Sequence, residues 1–362
     1  MRLRRLTIEH LRCIDRLELK VGPGIHWLSG PNGSGKSSVL EGLCLLASGR
    51  SFRAGGVDAC VQRGAEALTV FAELETGAGT QHRLGLRRPR GGGFEARLDG
   101  KEVAGLGSLA RRFPVVVVPA DSGQLIAGPA EVRRRFLDWG LFHVEQDFHD
   151  VWRRYVRALR QRNALLREGG QERLEPAWRA ELVRHGEALD RYRRAYVEAL
   201  LPHLVVMCGW LLPGLGQPRL LYRPGYPDEA GDLAEALRAG LERDRRLGHT
   251  TLGPHRAGWS LVFPTLSSRE MYSRGQAKLA AMAMALAQVA HYTAASGEPP
   301  VLALDDALAE LDGEHQRRLV DHLAAAGAQC FLATADAGAV RRLAGSGASV
   351  FHVEQGRLRG PL

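Results

Sequence analysis

Gly30-Pro31-Asn32-Gly33-Ser34-Gly35-Lys36-Ser37-Ser38 has the composition of a loop that holds a polyphosphate. The spacing G-x-x-x-x-G-K-S lets backbone N–H groups curl around one phosphate. It then supplies a lysine for the next oxygens and the Ser37 hydroxyl for a magnesium ion. Lys36 is informative because Lys20, Lys101 and Lys278 are the only other lysines. A compact ammonium has been kept where a planar guanidinium would not serve. Far downstream, Leu302-Ala303-Leu304-Asp305-Asp306 is an apolar run closed by two carboxylates. Beside a phosphate loop, one such carboxylate can hold magnesium and the next can orient an attacking water. Asp305 is therefore expected at the metal, and Asp306 and Lys36 in the catalytic roles. Ser273-Arg274-Gly275-Gln276 opens a helical pattern, where the serine caps and the positive helix end suits a γ-phosphate. Singly, an Asp-capped strand end and an ordinary N-cap explain the last two segments. Their order after the loop is what argues for a nucleotide.

These residues need elements to position them. An apolar stretch over 25–29 runs into the loop, and a helical pattern over 36–47 leaves it. Further strands are expected over 68–75, 82–88, 94–98 and 115–118, the last fully apolar and hence buried. From about Glu131 the period becomes helical: Trp152, Val156, Leu159 and Leu166 share a face, 182–201 is helical, and 232–246 reads as a third long helix. Gly169-Gly170 and the stretch from Pro213 to Pro227 punctuate this region. Alternation then returns, with helices over 275–295 and 314–325 and strands over 301–304 and 329–334. The predicted fold class is α/β: a P-loop ATPase lobe over 1–119 and 271–362, with a mainly helical lobe inserted over 120–270.

Composition sets the setting. Lys+Arg 49 against Asp+Glu 40 gives a net charge of +9, which favours phosphate-bearing partners, although an arginine-rich codon usage would produce the same excess. Between Val151 and Arg167 the arginines Arg153, Arg154, Arg157, Arg160, Arg162 and Arg167 meet no carboxylate. With Trp152, Val156 and Leu159 facing the core, Arg153, Arg157 and Arg160 would point outward, either to DNA phosphates or only to solvent. The cysteines are odd in number, scattered and without C-x-x-C spacing, which predicts a reducing, cytoplasmic setting. No apolar run reaches the 18 or more residues of a membrane span.

The order of phosphate loop, insertion, Ser273-to-Gln276 segment, Asp305-Asp306 strand and Ala309-Glu310-Leu311-Asp312 resembles an ABC-type ATPase head. The resemblance makes these segments the signature motif, the Walker B strand and a D-loop at Asp312. More narrowly, Gly49-Arg-Ser-Phe-Arg53, Arg134-Arg-Phe-Leu-Asp-Trp139, Gln161-Arg-Asn-Ala-Leu-Leu166 and Gly253-Pro-His-Arg256 resemble the bacterial RecF recombination and repair proteins.

That likeness implies ATP and Mg2+ as cofactors, and single-stranded, duplex and gapped DNA as partners. It further implies a RecR-like mediator, no membrane, and an ATP-dependent homodimer closing head to tail. Recombinase loading and a weak DNA-dependent ATPase used as a switch follow from it. Two heads of other kinds, an ABC-transporter motor domain and a chromosome-maintenance head, share the ATPase motifs. The chain also departs from the pattern. Asp306 stands where ABC heads usually carry Glu, and Thr334-Ala-Asp336 stands where a histidine switch is usual, which together imply slow turnover. Arg274 replaces a commoner Gly or Gln, and Gly258 replaces a carboxylate that commonly follows the His255-Arg256 pair. Gln124 reads as a surface polar residue sooner than as a glutamine-loop ligand.

Overall fold

The computed structural model describes residues 1–359 except 54, 78, 169–171, 228, 230, 267–270, 310, 346 and 347. Gly169-Gly170 and Glu310 therefore lie outside the described residues. In chain order the elements begin β1 (Arg2–Leu11), β2 (Ile14–Lys20), β3 (Ile25–Ser29), α1 (Lys36–Ser48), β4 (Ala67–Glu75), β5 (Gln81–Pro89), β6 (Glu95–Leu98), β7 (Lys101–Glu102), α2 (Gly107–Arg112) and β8 (Val115–Val118). Then come α3 (Gln124–Ala127), α4 (Ala130–Val144), α5 (Phe148–Glu168), α6 (Glu175–Leu211), β9 (Arg219–Arg223), α7 (Leu233–Ala239), α8 (Leu241–Leu247) and β10 (Gly258–Val262). The chain closes with α9 (Arg274–Ser296), β11 (Val301–Asp305), α10 (Gly313–Ala325), β12 (Cys330–Thr334), α11 (Ala337–Leu343), β13 (Ser349–Glu354) and β14 (Arg357–Arg359).

The chain divides into two compact units, Met1–Ser122 with Tyr292–Leu362 and, between them, Gly123–His291. The first holds two six-stranded sheets, ordered β2-β1-β4-β5-β6-β7 and β14-β13-β3-β12-β11-β8. In the second sheet β13, β3, β12, β11 and β8 all run parallel, and β3, β11 and β12 are buried along their whole length. Near-continuous apolar strands are what a sheet covered on both faces requires. In the other sheet β1 and β4 alternate buried with half-exposed residues, as a sheet with one wet face does. Helix α1 packs against strands of both sheets, and its Val39, Leu40, Leu43 and Leu46 are fully buried in one core with Leu6, Ile8, Leu28 and Phe331. Truncating any of these leucines to alanine should cost about 2–5 kcal/mol.

In the second unit α6 carries α4, α5 and α7, and β9 pairs antiparallel with β10. Strand β9 lies in the stretch read from sequence as punctuation, so the unit is less purely helical than expected. The expected single helix over 232–246 is two helices meeting at Gly240. Asp232 caps the first by accepting from Glu235 N at 2.7 Å, Gly240 weakens the middle, and the buried Asp244 is held inside by Arg162. The end of this unit also falls later than the boundary expected at 270. Helix α9 buries Ala277 and Ala280 to Val289, and its Gln288 donates to Phe136 O at 2.9 Å and Tyr196 Oη at 3.0 Å, which ties it to this unit as far as His291.

Candidate functional site

The parallel register brings the chemistry of the first unit to one edge. Ser29 at the end of β3 pairs with Thr334 of β12, and Ala333 of β12 pairs with Asp305 of β11, so the phosphate loop and the Asp305-Asp306 pair share the carboxyl edge. This is where open α/β sheets bind ligands. Gly30 has φ of +151°, and a Cβ there would stand 2.2 Å from the Val353 carbonyl oxygen. Gly35 has φ of +112°, and its Cβ would meet Cys13 Sγ at 3.2 Å. Both positions thus exclude a side chain. Gly35 caps α1 without a side chain, leaving the first-turn N–H groups to an anion. Lys36 Nζ donates to the carbonyls of Gly30 and Pro31, each at 2.8 Å, along the inside of the loop.

Ser37 Oγ donates to Asp305 Oδ1 at 2.8 Å, which joins the loop to the carboxylate strand. Burial pushes the Asp305 carboxyl above its ordinary range, with Asp306 adding to the effect, while the Ser37 hydroxyl, Arg53 and Lys36 work against it. Burial likewise lowers Lys36, and Asp306 and Asp305 counteract it. A hydroxyl and a buried carboxylate, both hard oxygen donors already hydrogen-bonded to one another, fit a magnesium ion. Asp306 itself is exposed, has φ of +51°, and donates its N–H to Ala333 O at 3.0 Å. Few residues other than glycine hold that backbone without strain, and Asp and Asn are among them.

Ser273, Gly275 and Gln276 belong to the second unit. Ser273 Oγ accepts from Gln276 N at 3.2 Å, and Gln276 Oε1 accepts from Ser273 N at 2.9 Å, a reciprocal capping box that starts α9. Asp312 caps α10, accepting from Glu314 N and His315 N at 3.0 and 2.9 Å. Asp336, where a histidine switch is usual, caps α11 by accepting from Ala339 N at 2.9 Å. Gln124 is exposed at the start of a four-residue helix.

Helix α5 exposes Arg153, Arg154, Arg157 and Arg160, which line an open concavity of about 700 Å³. Its buried stripe differs from the expected one. Tyr155, Ala158 and Arg162 are buried, whereas Trp152, Val156 and Leu159 are half-exposed. The cause is Arg162, fully buried and paired with Glu175 at 3.0 Å, Asp244 at 2.7 Å and Thr250 Oγ1 at 2.7 Å. Arg162 therefore leaves the basic face and holds α5 to α6 and α8. His255 completes this polar interior: its Nδ1 accepts from Tyr155 Oη at 2.7 Å, and its Nε2 donates to Thr250 O at 3.0 Å.

Sequence reasoning gave no role to Arg12, which forms a bidentate pair with the fully buried Glu41 of α1 at 2.9 and 3.0 Å. Nor did it place Arg53 within electrostatic reach of Asp305. A Glu inside an otherwise apolar helix was the available signal for the first; nothing local marks the second.

Residues 2–359 match the family model described as RecF/RecN/SMC N terminal domain. The chain is 46% identical over 362 residues to the DNA replication and repair protein RecF of Xanthomonas euvesicatoria, covering 99% of this chain and 98% of the relative. It is 38% identical to RecF of Azotobacter vinelandii, over 99% of this chain and 98% of that one. Among solved structures, the recombination mediator protein RecF-ATPrS in the RecFOR pathway superposes with a TM-score of 0.86 at 23% identity, covering 99% and 97% of the two chains. The SMC head bound to the C-terminal winged helix of ScpA gives 0.60 at 15% identity, covering 99% and 96%. The fold is thus that of an ABC-type ATPase head, as the motif order implied. On sequence, and over nearly its whole length, the chain belongs to the RecF family of DNA replication and repair proteins.

Proposed function

We propose that the chain is an ATP-switched DNA-binding protein of recombinational gap repair and replication. The observation that carries this reading is the 2.8 Å bond from Ser37 to Asp305 beside a lysine folded along a glycine loop. Gly30 to Ser38 would hold the phosphates of ATP, with Lys36 at the β and γ oxygens and Ser37 and Asp305 as ligands of Mg2+. Bound magnesium neutralises charge on the phosphates. Asp306 would orient the water that hydrolyses ATP, at the slow rate of a switch. Ser273, Gly275 and Gln276 would complete the site of a second copy, so that ATP closes two heads head to tail. Related proteins described with ATP and ATPrS support the nucleotide.

Arg153, Arg157 and Arg160 would hold phosphates of single-stranded and duplex DNA at a gap. A RecR-like mediator would then join the complex, and recombinase loading would follow in the cytoplasm. The basic face, and Thr334-Ala-Asp336 where a histidine switch is usual, favour this over a transporter motor.

Lys36→Met should abolish ATP binding, measured by equilibrium titration with a fluorescent nucleotide, because no other cation is assigned to the β and γ oxygens. Wild-type affinity in that variant would rule out the loop as the nucleotide site. Replacing Arg153, Arg157 and Arg160 together with Gln should weaken binding to gapped duplex. It should also reduce the log-log salt slope by up to about three, roughly one for each phosphate that an arginine no longer neutralises. An unaltered slope would return this face to solvent.

A further inference from the structure

Where α4 gives way to α5, five rings follow one another. Trp139 and His143 lie 4.4 Å apart between centroids, His143 and Phe142 meet edge-on at 5.0 Å, Phe142 and His149 meet edge-on at 5.3 Å, and His149 and Trp152 lie 6.3 Å apart within 15° of parallel. All five are half-buried, so each keeps part of its surface in water. The row ends at Trp152, which lines the same concavity as Arg153, Arg154, Arg157 and Arg160.

Along α5, His149, Trp152, Arg153, Val156, Arg157 and Arg160 occupy positions i, i+3, i+4, i+7, i+8 and i+11. At about 1.5 Å per residue they form one stripe roughly 16 Å long. Rings stand at its N-terminal end and guanidinium groups at its C-terminal end. Asp150 lines the concavity too, and Glu145 and Asp147 precede the helix, all at the end where the helix pole is positive. Among the described residues, Arg153, Arg157 and Arg160 form no ion pair with these or other carboxylates.

We infer that this stripe is a stacking platform for the unpaired bases of single-stranded DNA. Arg153, Arg157 and Arg160 hold its phosphates, and the rings of Trp152 and His149 take its bases. The inference rests on the DNA-binding reading above and deepens it: bases, as well as phosphates, are recognised here. Every base has a π-face, so the platform is indifferent to sequence, and a base still paired in a duplex does not offer that face. Phosphates match the arginine end, while the acidic residues at the other end leave room only for neutral groups.

The test compares oligo-dT with an abasic strand of equal length, which carries the same phosphates without bases, using the full chain. The wild type should bind oligo-dT about tenfold or more tightly than the abasic strand, as stacking on one ring implies. The preference should persist as salt is raised, and oligo-dT alone should quench tryptophan emission. Trp152→Ala should bring the two strands near parity without changing the salt slope, and Trp152→Phe should keep most of the preference. A wild type that binds both strands equally overturns the inference without requiring any substitution to fold, and so does a Trp152→Ala variant that retains the preference. Either result leaves the arginine reading in place, because that is judged by the salt slope of the triple Gln variant on gapped duplex. A wild-type slope in the triple variant overturns both.

Discussion

At Asp306 one backbone angle limits which residues the position can hold. At φ of +51° it sits in the left-handed region, which Asn tolerates as well as Asp and most other residues enter at a cost of about 1–2 kcal/mol. Asp306→Asn should therefore unfold within about 0.5 kcal/mol of the wild type, while Asp306→Ala should lose about 1 kcal/mol, read as urea midpoints at a common m-value. Equal losses in both would mean that the backbone there is unstrained. The same angle gives a physical reason why Asp can stand where related heads use Glu. Its shorter side chain bonds more readily to its own backbone in this conformation. At this scale the sequence was most legible. Ser273 caps its helix as its residue type implied, and Ser37 meets Asp305, 268 positions away, because the strand that leads into the loop and the strand that ends at Asp305 share one sheet edge. Arg53 and Arg12 were not legible, since no motif spacing marks them as partners of Asp305 and Glu41.

Helix α5 shows what happens when a buried charge resets a helix face. A hydrophobic pattern alone places Trp152, Val156 and Leu159 inside, but the ion pairs of Arg162 with Glu175 and Asp244 turn Tyr155 and Ala158 inward instead. No periodicity rule counts an arginine as core, so this register could not be read from the chain. The split at Gly240 has the same origin, in that Asp244 belongs to the interior network. That network carries its own pH dependence. His255 is lowered to about 4, chiefly by burial, with Arg256 and Arg134 adding to this and the Thr250 carbonyl working against it. An ordinary histidine titrates near 6.5, so the unfolded chain takes up the proton first as pH falls. The neutral form's contribution is complete above about pH 6.5 and is lost progressively towards pH 4. Between pH 7 and pH 4.5 the wild type should lose about 2–3 kcal/mol more than His255→Gln, measured by urea denaturation of each protein at both pH values. Parallel losses would show that His255 takes up its proton as readily in the folded protein as in the unfolded chain.

At the scale of the whole molecule, the order of segments carried more information than any one of them. The two sheets, the phosphate loop and the Asp305-Asp306 strand come from the two ends of the chain, and the Ser273 segment lies within the insertion between them. The later end of the second unit, at His291, arises because α9 buries an alanine-rich face and ties Gln288 to Phe136 and Tyr196. A boundary drawn at a motif could not anticipate this. In the proposed function, ATP would join two copies through Lys36 of one and Ser273 of the other. Sedimentation equilibrium of Asp306→Asn, with and without Ser273→Arg, in ATP and magnesium tests it most directly. The single variant should accumulate as a dimer because bound ATP is no longer hydrolysed. The double variant should bind ATP yet stay monomeric, since a bulky charge blocks closure. A single variant no more dimeric than the wild type, or a double variant that dimerises equally well, would rule out this closure.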